Sequence, residues 1–222
     1  MSYVTDTGAI LSAMIAQDAF ELRNAMKSDA TWVLGFLVAV LGGWGISAIY
    51  KRVPFLDRNL ERTFMVVSYL AIALIIFWGV VDRFIFSNQQ PWSTTIPPLL
   101  FMIMAWFGAT YNVRLRSHLS FSEFRSRMGR KGQLACLCLD NFLWMAFSVI
   151  VIVTTARAAA LSASNFQIVL GTDNVMQWWF LITAPLAFLL MAARVVENFF
   201  EDLQNMREGN ELIQQTVIGG GE

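Results

Sequence analysis

A chain of 222 residues that is 56% hydrophobic and only 14% charged is not a soluble domain, and its 16 basic and 16 acidic residues leave no net charge that would single out nucleic acid as a partner. Its two cysteines, Cys136 and Cys138, stand two apart and so point to different faces of a helix, which excludes a disulfide or metal pair between them. A single histidine, His118, excludes bis-histidine haem within one chain and argues against a zinc site.

Residues 1–29 show no signal peptide, because no basic region precedes an apolar core with a small-residue cleavage site. Leu11, Ile15, Ala19, Leu22 and Met26 recur there at helical spacing, with Asp18, Glu21 and Arg23 between them. That pattern predicts an amphipathic surface helix, lying on the membrane, on a partner subunit or on its own chain.

Five apolar runs follow: Ala30 to Tyr50, Thr63 to Val81, Trp92 to Val113, Gln133 to Ala156 and Asn174 to Ala193. Each is about long enough to cross a hydrocarbon core of roughly 30 Å at about 1.5 Å per residue. Gly42, Gly43 and Gly45 in the first run would let another helix approach closely. Only the fourth run contains a charge, Asp140. The expected fold is an all-α integral membrane protein, a bundle of five transmembrane helices with amphipathic interfacial helices.

Basic residues in short loops set orientation. Lys51, Arg52, Arg58 and Arg62 follow the first run, and Arg114, Arg116, Arg125, Arg127, Arg130 and Lys131 follow the third. The other two loops hold only Arg83 and Arg157. The basic loops are therefore expected in the cytoplasm, with the N-terminus outside, the C-terminus inside and Trp92, Trp178 and Trp179 in an outer aromatic belt.

Within the second basic loop, Ser120 and Glu123 have capping-box spacing, while Phe121, Phe124 and Met128 share one face and Arg127, Arg130 and Lys131 another. That predicts an interfacial helix meeting anionic headgroups, or charge that sets topology and nothing more. From Glu197 onward the acidic residues Glu201, Asp202, Glu208 and Glu211 alternate with Phe199, Phe200, Leu203 and Met206, so the last span continues as an amphipathic helix.

No nucleophile with a partner base, no glycine-rich phosphate loop, no HExxH and no acidic ligand cluster is present, so enzyme activity and a cofactor have no residue to rest on. Asp82, Arg83, Asp140, Arg157, Arg194 and Glu197 are the charges at or near membrane depth. Such charges pair or line a polar path, because an unpaired one at the bilayer centre costs about 2.5–3.5 kcal/mol. Asp140, beside Asn141, fits a subunit contact, a carboxylate bonded within its own bundle, or part of an ion pathway.

Three features in order resemble the small membrane subunit, DctQ type, of tripartite ATP-independent periplasmic (TRAP) transporters. Asp82-Arg83-Phe84 is followed across a short loop by Pro91-Trp92; the next span contains Trp106-Phe107-Gly108-Ala109; and it leaves the membrane into Arg114, Arg116 and His118-Leu119. The likeness covers Arg62 to Asn198. Family members commonly carry an acid after the Pro-Trp pair, where this chain has Ser93, Thr94 and Thr95.

The resemblance implies a division into an N-terminal amphipathic segment (1–29), an additional span with its basic loop (30–61), a four-helix DctQ-like domain (62–198) and a cytoplasmic tail (199–222). It implies a multi-pass protein of the bacterial inner membrane that transports nothing itself. Its partners would be a large sodium-coupled elevator subunit (DctM type), a periplasmic solute-binding protein that delivers an organic anion or similar solute, and a bilayer with anionic headgroups. Subunit-interface or membrane-anchoring roles would fall to Arg83, Pro91, Trp92, Gly108, Arg114, Arg116, His118, Asp140 and Arg194. Two other classes are compatible with the residues alone: an accessory subunit of a respiratory or export complex, and a small membrane enzyme or quinone-binding protein.

Overall fold

The computed structural model describes residues 3–88, 90–116 and 128–212. Five helical segments among them are long and apolar enough to cross a membrane. The first span is α3 (Ala30–Leu37), a π-helical turn (Val38–Gly42) and α4 (Gly43–Arg52), preceded by α1 (Tyr3–Ala16) and α2 (Ala19–Ala25). The others are α5 (Pro54–Phe84), α6 (Trp92–Leu115), α7 (Arg130–Ser164), and α8 (Trp178–Leu181) running into α9 (Thr183–Glu208).

The last span is the axis of the bundle. Ala187, Phe188, Met191, Ala192 and Ala193 on α9 are fully buried, and α9 packs against α4, α6 and α7. Small residues make this possible, since in lipid there is no hydrophobic drive between helices and close backbone approach supplies the packing. A Cβ on Gly43 would lie 3.1 Å from the Ala192 carbonyl carbon, and one on Gly42 would lie 2.9 Å from Leu189 Cδ1. Gly45 faces open space, so only two of the three glycines serve the contact. Between α6 and α9 the buried Thr110 hydroxyl donates to the Ala187 carbonyl at 3.0 Å.

Large apolar side chains such as Phe77, Trp78, Phe142 and Leu186 are exposed, as lipid-facing positions should be. At 35 residues, α7 spans about 52 Å and so projects beyond a hydrocarbon core of about 30 Å.

The structure departs from the sequence reading at three places. Residues 1–29 do not form one helix: Gln17 takes φ 56°, and Asp18 starts a second helix by accepting from the Phe20 and Glu21 N–H groups at 2.9 and 3.0 Å. As a result Ile10 and Ala13 are buried while Leu11 and Ile15, expected on the contact stripe, are exposed.

The basic segment after the first run is not a loop either. Only Val53 separates α4 from α5, so the boundary at 61/62 falls inside a continuous helix. Pro54 is preorganised for a first helical turn and Asp57 suits its positive end.

The fifth run starts later than expected, at Trp178. Asn174 lies in a loop held by an antiparallel bridge between Ile168 and Met176, and the helix breaks at Ile182. Pro185 explains the break, since it lacks the N–H that would bond Leu181 and its ring crowds that carbonyl.

Candidate functional site

Among the described residues, the buried charges Glu61, Arg194 and Asp202 gather at the basic end of the bundle, while Asp82 is buried at the other. On α9, Arg194, Glu197, Asn198, Glu201 and Asp202 follow helical spacing and turn toward α5 and α6. On α5, Asp57 and Glu61 lie four residues apart and therefore share a face. Tyr50 arrives from the last turns of α4, and Arg114 from the end of α6.

Arg194 is the centre. Its residue is 1% exposed, and its Nε and Nη2 reach Glu61 Oε1 at 2.8 and 2.7 Å. Its Nη1 meets Glu197 Oε2 at 2.8 Å and also bonds Asp57 Oδ1, while Nη2 donates to the Asp57 carbonyl at 2.9 Å. Arg114 Nη2 takes the other Asp57 oxygen at 2.9 Å. The Tyr50 ring lies 3.9 Å from the Arg194 Cζ, and its hydroxyl donates to Glu61 Oε1 at 3.3 Å.

Five donors on a planar guanidinium suit this geometry, which a lysine could not fill. Glu61 Oε2 is buried with no hydrogen-bond partner among the described residues, which hold Glu61 through its other oxygen. Removing one member of such a buried set leaves the others uncompensated, at a cost of about 3–5 kcal/mol.

A second knot lies one turn further along. Arg116, at φ 52° in the left-handed region, ends α6 and turns its guanidinium back. It bonds Asp202 Oδ1 at 2.5 Å, Glu201 Oε2 at 3.1 Å and the Asn198 carbonyl at 3.1 Å. Asn141 of α7 donates to the other Asp202 oxygen at 3.0 Å, and Asn198 donates to the Val113 carbonyl at 3.1 Å. Arg130 closes the end of α9 by donating to the carbonyls of Asn205, Gly209 and Asn210 at 3.3, 2.9 and 3.1 Å. Together these contacts tie α4, α5, α6, α7 and α9 to one another.

The opposite end is built on backbone. Arg157 of α7 donates to the carbonyls of Met26 and Ser28 at 2.8 and 3.1 Å, closing the end of α2. The 165–177 loop folds over the start of α6, where Thr95 donates to the Leu170 carbonyl at 2.7 Å. Gly171, at φ 80°, fits there because a Cβ would come within 2.6 Å of Pro91 Cβ and 2.8 Å of the Trp92 nitrogen. Pro91 and Trp92 thus meet a loop of their own chain.

The sequence-selected residues divide accordingly. Arg114, Arg116 and Arg194 come together in the two knots, facing their own chain. Asp140 is half-buried next to Asn141, and it is the amide of Asn141 that reaches Asp202. Gly108 faces Met65 of α5, whose Sδ would lie 3.4 Å from an added Cβ. Arg83 is exposed at the opposite end, its Cζ 5.7 Å from the Phe84 ring. His118, Ser120, Phe121, Glu123, Phe124, Arg125 and Arg127 lie outside the described residues.

Tyr50, Asp57, Glu61 and Asn198 were not singled out from sequence, and Asp202 only as one acid of an amphipathic tail. The signal was there in part: acids four apart on α5, and Arg194 needing partners at membrane depth.

Such an arrangement defines a multi-pass membrane protein in which the charges of the two knots close on one another. The chain belongs to the DctQ component family of the tripartite ATP-independent periplasmic transporters, whose family model matches residues 72–205, more than half of it. It is similar to the sialic acid TRAP transporter small permease protein SiaQ of Vibrio cholerae serotype O1, at 22% identity over 170 residues, 75% of this chain and 96% of that protein. Arg114, Arg116 and Arg194 fall inside the matched region; Tyr50, Asp57 and Glu61 fall before it.

Proposed function

We propose that this chain is the fixed, non-catalytic brace of a TRAP transporter. It would hold a large, sodium-coupled elevator subunit to which an extracytoplasmic binding protein delivers an organic anion or similar small solute. Membership of the DctQ family carries the reading. The fate of the charges supports it: those of the two knots are consumed in pairs near one end of the spans, whereas a solute path needs polar groups and broken helices meeting near the midplane.

The chain would sit in the inner membrane with its basic end in the cytoplasm and its N-terminus outside, in keeping with the positions of Lys51, Arg52, Arg58, Arg62, Arg114, Arg116, Arg130 and Lys131. For the large subunit we favour the face between α5 and α6. Arg83, Ser93, Thr94, Pro97 and Pro98 line a groove of about 660 Å³ there. Pro97 and Pro98 cannot supply the N–H that the Ser93 and Thr94 carbonyls would otherwise receive, which leaves those acceptors for a partner.

The test is reconstitution. Proteoliposomes holding this chain alone should show no sodium-driven uptake, and adding the large subunit and the binding protein should restore it. Uptake by this chain alone, above empty liposomes, would refute the brace.

A further inference from the structure

The first span changes partner along its length. It packs against α7 through α3, touches both α7 and α9 through the π-helical turn, and packs against α9 and not α7 through α4. Where it leaves α7 an apolar groove of about 760 Å³ opens, walled by Leu41 and Trp44 on one side and Phe142 and Met145 on the other, with Val196 and Phe199 of α9 between them.

On α7 the groove runs from Cys138 to Ile150, about 18 Å of helix, close to the roughly 15 Å half-thickness of a hydrocarbon core. Its lining is almost wholly apolar, which suits a hydrocarbon chain.

At the basic end this groove continues into a second, polar one of about 640 Å³; Trp44 and Phe200 line both. Lys51 and Arg207 stand in the polar groove, with Gln204 and Glu208, whose side chains bond each other at 2.8 Å. Neither Lys51 nor Arg207 forms an ion pair with another described residue, whereas Arg114, Arg116 and Arg194 at the same end are all paired. A hydrocarbon slot one leaflet deep, opening under an indole onto two unpaired cations, has the layout of a lipid.

We propose that this groove holds one anionic glycerophospholipid, its acyl chain between α4, α7 and α9 and its phosphate between Lys51 and Arg207. Such a lipid would fill the gap that the first span leaves when it crosses from α7 to α9, and so would form part of the joint between that span and the rest of the bundle. The inference does not need the orientation proposed above, which decides only the leaflet that supplies the lipid.

The experiment is native mass spectrometry of the full chain, purified with its associated subunits, stripped of lipid and titrated with phosphatidylglycerol, phosphatidylcholine or inorganic phosphate. Two cations worth about fivefold each, offset in part by the Glu208 carboxylate in the same groove, give an expected preference for phosphatidylglycerol of about fivefold. That preference should fall below about twofold in the Lys51→Gln/Arg207→Gln double variant, whose changes are both at exposed positions. Ala146→Trp, which fills the slot, should lower retention of both lipids.

Equal retention of the two lipids would overturn the proposal, as would a preference that survives the double variant or thermal stabilisation by phosphate alone equal to that by phosphatidylglycerol. It would fall equally if the complex binds no lipid and a photo-crosslinker at Phe142 joins a partner protein.

Discussion

The two ends of the bundle are joined by different chemistry. At the basic end the contacts run between charged side chains, with Arg194 and Arg116 each shared among carboxylates from another helix or their own. At the opposite end Arg157, Thr95 and Gly171 act on backbone: two donate to carbonyls and the third lets a loop lie against Pro91. A side-chain network fails as a unit when one charge is removed, because the remaining charges stay buried. A backbone contact fails locally, since the carbonyl it releases can find water near a helix end. Four substitutions test the difference, in descending order of expected effect.

Arg194→Met should be the most damaging, at about 3–5 kcal/mol, because it strands Glu61 and Asp57. At about 2–4 °C per kcal/mol for a chain of this size, the unfolding midpoint in detergent should drop by roughly 10 °C. Adding Glu61→Gln should recover part of that loss, since the stranded charge is then gone. A drop of only a degree or two, or a double variant no better than the single one, would show that the cluster does not hold the helices.

Arg157→Ala removes donations to two carbonyls near a helix end, which water can replace, together with a contact to the Trp32 ring, at a net cost of about 1.5–3 kcal/mol, and acts on the α2 end and the start of α3. Hydrogen exchange should accelerate in residues 3–28 while the global midpoint moves little. Exchange accelerated throughout would mean that the two ends are coupled after all. Gly171→Ala should cost about 1–2 kcal/mol for the left-handed conformation alone, plus displacement of the loop from Pro91. Gly8→Ala, where nothing lies within 4 Å, is the control and should be neutral or slightly stabilising.

How much of this was readable beforehand follows the same division. The spans were legible because twenty-odd uncharged residues have one solution in lipid, and Asp82 to His118 carried the family. Arg194 could be picked out as a charge needing a partner, but its partners could not. Asp57 and Glu61 lie among Arg58 and Arg62, and positive-inside counting treats the whole stretch as a loop.

The division of residues 1–29 turned on one capping aspartate, Asp18, whose spacing to the apolar stripe looked like continuation of a helix. The Gly171 contact depends on a pairing 80 residues distant in sequence, which local pattern does not encode.

Arg83, like the Gly8 control, should leave stability unchanged, and it gives the sharpest test of the brace. Trp92, its neighbour in the expected outer corner, starts α6 with its backbone nitrogen against the Gly171 loop, so a change there would confound folding with assembly. Arg83 has no such tie among the described residues: it is exposed, and its guanidinium lies 5.7 Å from the adjacent Phe84 ring. Exposed substitutions away from special features stay within about 0.5 kcal/mol, so Arg83→Ala should leave the unfolding midpoint of the isolated chain unchanged. It removes the only cation among the described residues that line the groove beside Pro97 and Pro98, the face favoured for the large subunit. Recovery of the large subunit with an affinity-tagged chain should therefore fall several-fold in detergent, and a charge-retaining Arg83→Lys should restore part of it. Full recovery with Arg83→Ala would move the contact to another face; a fall in the isolated chain's midpoint would make Arg83 part of the fold.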